Sequence, residues 1–153
     1  MSLFSNRQES KQEASLRSGI RTVENALVSL GHPPDESRAE SDDDMPAWRI
    51  DCGHGVKIDV RLVVDGEQSF LRVSATIAAV PRSDAGNLYR RLLELNASVI
   101  KGVAFGVFHG DIVLVNAYGA TTLDLSNVRQ LLQQTEKLAL HYASIFSSGT
   151  FAQ

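Results

Sequence analysis

Several features that mark common classes of protein are scarce or missing in this sequence. It has one cysteine, Cys52, which cannot form a disulfide within the chain, and it does not open with the charged and then apolar segment of a secretion signal. No apolar run approaches the roughly 20 residues that a membrane-spanning helix requires. We therefore expect a cytoplasmic protein that does not cross a membrane.

An excess of positive charge is missing as well. The formal net charge is -3, and the 15 lysines and arginines are scattered along the chain, with Arg90 and Arg91 as their only adjacent pair. Proteins that bind nucleic acids usually gather basic residues in a patch or stripe. We therefore expect no nucleic-acid partner.

Motifs for phosphate binding and for catalysis are also absent. The sequence has no GKS or GKT, no nucleophile elbow and no HExxH motif. Gly102, Gly106 and Gly110 lie in a segment with the pattern of two strands, whereas a phosphate-binding loop places its glycines before the N-terminus of a helix. Close packing or bulges in the strands explain these glycines better.

One cluster of reactive side chains remains, formed by Asp51, Cys52 and His54. A structural zinc site needs four ligands, and a catalytic cysteine needs a base that a third group orients, and neither pattern is complete here. We therefore expect no catalytic residue, no metal site and no cofactor. The alternative interpretation is a small metal-dependent or cysteine-based enzyme that uses these three residues.

The length and composition of the chain predict a single domain. With 153 residues, of which 43% are hydrophobic, it can build one core, and we expect the domain to span residues 10–149. Residues 1–9 are polar and lack periodicity, so we expect them to be disordered. Residues 33–46 carry six acidic side chains and almost nothing apolar, which predicts a mobile acidic loop. Because the loop lacks the glycine and the distal glutamate of an EF-hand, we do not expect it to bind calcium.

The spacing of apolar residues predicts three helices. Apolar side chains recur at three- and four-residue intervals over residues 10–30, 83–96 and 125–146. Ser83 is the expected N-cap of the second helix, and Asp124 or Ser126 that of the third.

Strict alternation of apolar and polar residues predicts strands. Three strands over residues 48–52, 56–64 and 71–77 are joined by short turns that contain glycine, which favours an antiparallel meander. A hairpin follows, with its turn at His109 and Gly110. The order α-β-β-β-α-β-β-α predicts an α+β fold in which helices pack on an antiparallel sheet.

The hairpin differs from the first three strands because neither of its faces is polar. A two-residue turn predicts these opposite pairs: Val107 with Ile112, Phe105 with Leu114, Gly106 with Val113, and Ala104 with Val115. A half-exposed sheet should have one polar face, so we expect both faces to be covered, either by helices of the same chain or by a partner chain or bound peptide on one side. The second interpretation predicts the following partner-binding residues: Ala104, Gly106, Phe108, Val113 and Val115.

Four features of the second half of the chain suggest a family. They are Leu92-Leu93-Glu94-Leu95-Asn96 at the end of the middle helix, Gly102-Val103-Ala104-Phe105 at the start of the hairpin, Val113-Leu114-Val115 in its second arm, and the long terminal helix ending near Tyr142. With these features and this order of elements, the chain resembles the type III secretion chaperone fold, and residues 88–146 resemble the YbjN-type bacterial domains. The resemblance implies a non-enzymatic homodimer that binds an extended protein segment on apolar patches, as a secretion chaperone or as a regulator.

Overall fold

The helices and strands follow one another largely in the predicted order. The structure of the chain, a computed structural model, describes residues 3–41, 45–98 and 102–149. The helices in these ranges are α1 (Leu3–Ser29), α2 (Pro34–Ser37), α3 (Ala85–Ser98) and α4 (Leu125–Ser147), and a 3₁₀ turn precedes α4 at Ala120–Thr122. The strands are β1 (Arg38–Ala39), β2 (Ala47–Asp51), β3 (Lys57–Asp65), β4 (Gln68–Ala79), β5 (Ala104–Phe108) and β6 (Asp111–Gly119).

The strands form one antiparallel sheet in the order β1-β2-β3-β4-β6-β5. β2, β3 and β4 are the predicted meander, and β5 and β6 are the predicted hairpin. β6 pairs with β4 from Gly119 opposite Phe70 to Asp111 opposite Ala79, so that the hairpin joins the meander through β6 and β5 becomes an outer strand. The predicted α+β architecture, with helices on an antiparallel sheet, is confirmed.

The acidic segment contains more structure than its composition predicts. We expected a mobile loop over residues 33–46, but α2 and β1 both form within it. Pro34 stands at the start of α2, where its missing N–H is not needed, and the guanidinium of Arg38 pairs with the carboxylate of Glu24 on α1 at 2.9 Å. Contacts with distant residues therefore order part of a stretch that has little to bury. Residues 42–44 of the expected loop lie outside the described residues.

The first helix begins earlier than predicted. Since α1 starts at Leu3, the expected disorder of residues 1–9 is wrong for residues 3–9, while residues 1 and 2 lie outside the described residues. Several residues between Arg7 and Glu13 have unbranched side chains with high helix propensity. They favour a helix here although the segment has no apolar stripe.

One of the two predicted helix caps is confirmed. Asp124 accepts a hydrogen bond from the backbone N–H of Asn127 at 2.7 Å, and the side-chain oxygen of Asn127 accepts one from the N–H of Asp124 at 2.9 Å, which is a capping box. The prediction for Ser83 is wrong, because α3 begins at Ala85 and Asp84 is the residue that precedes it. Both Ser83 and Asp84 are favourable cap residues, so the sequence does not choose between them.

The core lies between one face of the sheet and the long helices. Side chains from α1, α4 and the central strands are fully buried there: Val23, Leu27, Trp48, Ile58, Leu62, Leu71, Ile112, Leu114 and Leu132. α3 reaches the same core through Leu92. The opposite face of the sheet therefore carries the side chains that the long helices do not cover.

The free edge of β5 is closed at one position by Asn96, near the end of α3. The Nδ2 of Asn96 donates to the carbonyl oxygen of Phe105 at 3.1 Å, and its Oδ1 accepts from the N–H of Phe105 at 2.7 Å. A neighbouring strand would make the same two bonds. Asn96 thus takes the place of a strand beside Phe105 and prevents another chain from pairing there.

Replacing Asn96 with alanine should lower the free energy of unfolding by about 1–2 kcal/mol, because two bonds to backbone groups beside the core are lost. Asn87→Ala is the matched control, since Asn87 lies in the same helix, is exposed and donates to the side chain of Asp84. Both replacements gain similar helix propensity. Urea unfolding followed by circular dichroism measures the difference, and equal stability of the two variants would contradict the role of Asn96.

Candidate functional site

The hairpin has the turn and the register that its sequence predicts. His109 and Gly110 have φ angles of 50° and 83°, as a two-residue turn with left-handed backbone requires. The pairs are those expected from this turn: Ala104 with Val115, Phe105 with Leu114, Gly106 with Val113, and Val107 with Ile112. The predicted pairing is therefore confirmed, and it separates the hairpin into two faces.

One face of the hairpin belongs to the core. Phe105, Ile112 and Leu114 are buried there, and the ring of Phe105 meets that of Tyr142 on α4 edge to face, with 4.8 Å between the ring centroids. Val107 shares this face but lies near the end of the strand and is 47% exposed. The helices of the chain thus cover the bulky face of the hairpin.

The five predicted partner-binding residues lie together on the other face. We call this surface the open face, and it consists of the following residues: Ala104, Gly106 and Phe108 on β5, and Val113 and Val115 on β6. It faces away from α1, α3 and α4, and among the described residues no long helix packs on it. Of the two interpretations of the hairpin, cover of both faces by helices of the same chain is therefore not what the described residues show.

The side chain of Arg72 reaches across part of the open face to Phe108. The guanidinium of Arg72 on β4 lies 5.9 Å from the ring centroid of Phe108 on β5. Because β6 lies between these strands, the two side chains meet above it, and Val113 is only 7% exposed. Ala104 remains exposed and Phe108 is 55% exposed. The open face is thus shielded at its centre and accessible at its rim.

Sequence reasoning missed one side chain that shields the open face and one exposed apolar surface elsewhere on the chain. Arg72 comes next to the hairpin only through the pairing of β4 with β6, for which the sequence has no local signal. Tyr89 and Leu93 on α3 are 39% and 67% exposed, whereas the helix faces the core with Leu92. The sequence does indicate this exposed face, because Tyr89 and Leu93 are four residues apart and lie outside the predicted core stripe.

The alternative site of Asp51, Cys52 and His54 does not assemble. Burial raises the pKa of the Cys52 thiol from 9.0 to about 11, with smaller contributions from the carboxylates of Glu136 and Asp51 and from a hydrogen bond with Glu136. A reactive or metal-binding cysteine needs a lowered pKa. His54 is exposed in the turn between β2 and β3, and in the described part of the chain no three potential metal ligands come together.

The described helices include none with the length and hydropathy of a membrane span.

The Cys52 thiol should react with iodoacetamide about 100-fold more slowly in the folded chain than in urea at about pH 8, because its raised pKa lowers the thiolate fraction by that factor. Since the folded chain holds this proton more tightly, the thiol's contribution to stability is full below pH 9 and falls as the pH rises from 9 towards 11. Alkylation rates followed by mass spectrometry test the first statement, and Glu136→Gln should raise the folded rate. Equal rates in the two states would contradict the protected thiol.

Solved structures share this fold. A chain of the ExsC–ExsE complex superposes with a TM-score of 0.62 and 17% identity over 95% of this chain and 96% of that one. A chain of the HopA1–SchA chaperone–effector complex gives 0.59 and 12% identity over 86% and 97%. A chain of the complex of the Yersinia pestis type III secretion chaperone SycH with a stable fragment of YscM2 gives 0.51 and 15% identity over 80% and 97%.

No family model matches the sequence, and no curated protein matches it. At identities this low, the structural matches establish the fold alone. The chain therefore has the fold of the type III secretion chaperones, as its sequence suggests, while the finer resemblance to YbjN-type domains stays a prediction.

Proposed function

We propose that the chain is a non-enzymatic protein-binding module that acts in the cytoplasm as a homodimer and binds an extended segment of a protein partner. The observation that carries this proposal is the open face, an apolar sheet surface that the long helices leave uncovered. The fold supports it, because structures with the same fold include a chaperone–effector complex and a secretion chaperone bound to a protein fragment. Secretion chaperone and cytosolic regulator are the two roles that fit.

The open face suits apolar side chains of a partner. Ala104 and Gly106 have small side chains or none beside Val115, and Phe108 lies exposed at the end of the same strand. A partner side chain that packs beside these residues can take the place of Arg72 against the Phe108 ring. Binding would then bury the part of the hairpin that the chain shields only with its own side chains.

Within this fold we assign residues 88–146 to the YbjN-type domains. The assignment is supported by the apolar pattern of β5 and β6 and by the long helix α4 that follows them. It is compatible with the regulatory role, since it does not require a secretion system as the context of the protein.

Self-association is assigned to the exposed face of α3. Tyr89 and Leu93 lie one helical turn apart on this face, and the charged pair of Arg90 and Glu94 beside them, with 3.0 Å between Nε and Oε1, can form the rim of an interface. Two copies that pack α3 against α3 around a twofold axis would bury the same residues from both chains. This surface is separate from the open face, so a dimer leaves the open face free for a partner.

Ala104→Asp should reduce partner recovery at least about tenfold without unfolding the chain, because it places a charge at an exposed position of the open face. Pull-down from the native cytosol followed by mass spectrometry measures recovery, and circular dichroism checks the fold. Val64→Asp is the matched control, since Val64 is a partly exposed apolar residue on β3, 38% exposed. Val113→Asp is a harsher variant, because the burial of Val113 makes loss of the fold an expected result.

A partner that Ala104→Asp and the wild-type chain recover equally would contradict binding on the open face. A partner that is lost with both Ala104→Asp and Val64→Asp would point to a general effect of added charge instead. Recovery with Val64→Asp and loss with Ala104→Asp is the result that the proposal expects.

Leu93→Glu should convert the dimer into a monomer, because a charge replaces the most exposed large apolar side chain of α3. Size-exclusion chromatography with light scattering gives the mass of the particle. Val28→Glu on α1 is the control, since Val28 is 60% exposed on another helix. A particle of unchanged mass for Leu93→Glu would place the dimer interface elsewhere, and a monomeric wild-type chain would contradict the homodimer.

A further inference from the structure

The two outer edges of the sheet are protected in different ways. On the β5 edge, Asn96 bonds to the backbone of Phe105. On the opposite edge, β1 is two residues long and pairs only with Trp48 and Ala47 of β2. Within the described residues, residues 49–51 of β2 have a strand neighbour on the β3 side alone. The β2 edge therefore offers backbone groups to another chain over residues 49–51, whereas Asn96 closes the β5 edge at Phe105.

The direction in which the backbone groups of β2 point shows which of its residues can pair with another chain. The N–H of Cys52 donates to the carbonyl oxygen of Val56, just beyond the last residues of β2 and β3 that pair. Backbone groups of successive residues in a strand point to opposite sides. The groups of Arg49 and Asp51 therefore point away from β3, towards the side on which β1 has already ended.

Among the described contacts of β1, those of the Arg38 side chain involve a partly exposed group. The guanidinium of Arg38 lies 5.3 Å from the ring centroid of Trp48 and pairs with Glu24 at 2.9 Å. The Arg38 and Glu24 side chains are 49% and 32% exposed, and ion pairs as exposed as this one contribute little to stability. The ladder of β1 with β2 is two residues long, the shortest in the described sheet, so β1 has few backbone bonds to lose on release.

Trp48 is the residue of β2 that pairs with Arg38 of this short strand. Its side chain is fully buried, yet its Nε1 has no hydrogen-bond acceptor among the described residues. A buried donor without an acceptor costs free energy, so among the described residues the arrangement with β1 in place leaves one group at this edge unsatisfied. A cleft of about 460 Å³ also runs along the edge, between residues 36–40 and the charged side chains of β2 and β3.

We propose that β1 is a displaceable strand of the chain itself. It occupies the start of the β2 edge in the free chain, and an extended segment of the protein partner takes its place and continues along residues 49–51. The segment has apolar residues at alternate positions, because its side chains on the core side meet Trp48 and Ile50, while those on the other side meet Arg49. The inference rests on the proposed function, for it names where the backbone of the partner pairs.

Release of β1 can be tested with Ala39→Pro, which removes the N–H that Ala39 offers to β2. Short random peptides displayed on phage are selected on this variant and then synthesised. Because β1 no longer competes, they should bind Ala39→Pro about tenfold more tightly than the wild-type chain in fluorescence anisotropy. Glu40→Pro is the matched control, since it lies just beyond β1, and it should bind them like the wild-type chain.

The single tryptophan of the chain reports the site of binding. A peptide that replaces β1 moves Arg38 off the Trp48 ring and should change its emission and its quenching by acrylamide, whereas a peptide on the open face should not. If circular dichroism shows that Ala39→Pro has lost its fold, Arg38→Ser replaces it, because that variant removes both the ring contact and the ion pair.

Equal affinity of the peptides for the wild-type chain, Ala39→Pro and Glu40→Pro would contradict the proposal that β1 is displaced. If that binding is lost in Ala104→Asp, the proposed function still stands, and the peptides bind the open face. If no selected peptide binds any of the chains, both this inference and the binding of extended segments fail. Tighter binding to Ala39→Pro together with a changed Trp48 signal is the result that supports the inference.

Discussion

The pairing of β4 with β6 is the contact on which the rest of the structure depends. α3 and β5 separate these strands in sequence, so a long loop must close before the first of their bonds can form. Once formed, the pairing sets Ala75 opposite Leu114 in the core, and it moves β5 to the outer edge. The register of the two strands shifts between Thr76 and Ala78. Beyond this shift, β4 and β6 continue to pair up to Ala79 and Asp111. Without this pairing, the hairpin would have neither a core face nor an open face.

Local patterns in the sequence are enough to predict the long helices, the meander and the hairpin. The change from helical to alternating spacing predicts where α3 gives way to β5, and the turn at His109 and Gly110 determines which residues of the hairpin share a face. The five residues of the open face follow from this register alone, because a two-residue turn leaves only one way to pair the arms. Local information therefore predicts the composition of the candidate site.

Long-range information decides what surrounds that site, and the sequence does not contain it in readable form. Nothing near Arg72 indicates that it will meet Phe108, since their contact follows from the strand order β4-β6-β5. The acidic segment is similar, because its two short elements are held by Glu24 and Trp48, which are distant in sequence. The composition of the segment predicts a loop, because composition reflects only the apolar residues of the segment itself. It does not include the contacts that residues distant in sequence make with the segment.

The open face and the β2 edge are both covered by weak contacts of the chain itself. A cation over an aromatic ring at an exposed site contributes about 0.5–1 kcal/mol, and an exposed ion pair such as that of Arg38 and Glu24 about 0–1 kcal/mol. Full burial of one large apolar side chain of a partner contributes roughly 1.5–3 kcal/mol. In the binding that we propose, a partner would therefore displace these covers while the core between the sheet and α4 stays intact. Until it does, Arg72 and Phe108 keep the centre of the hairpin out of water, which limits association between chains through an exposed apolar surface.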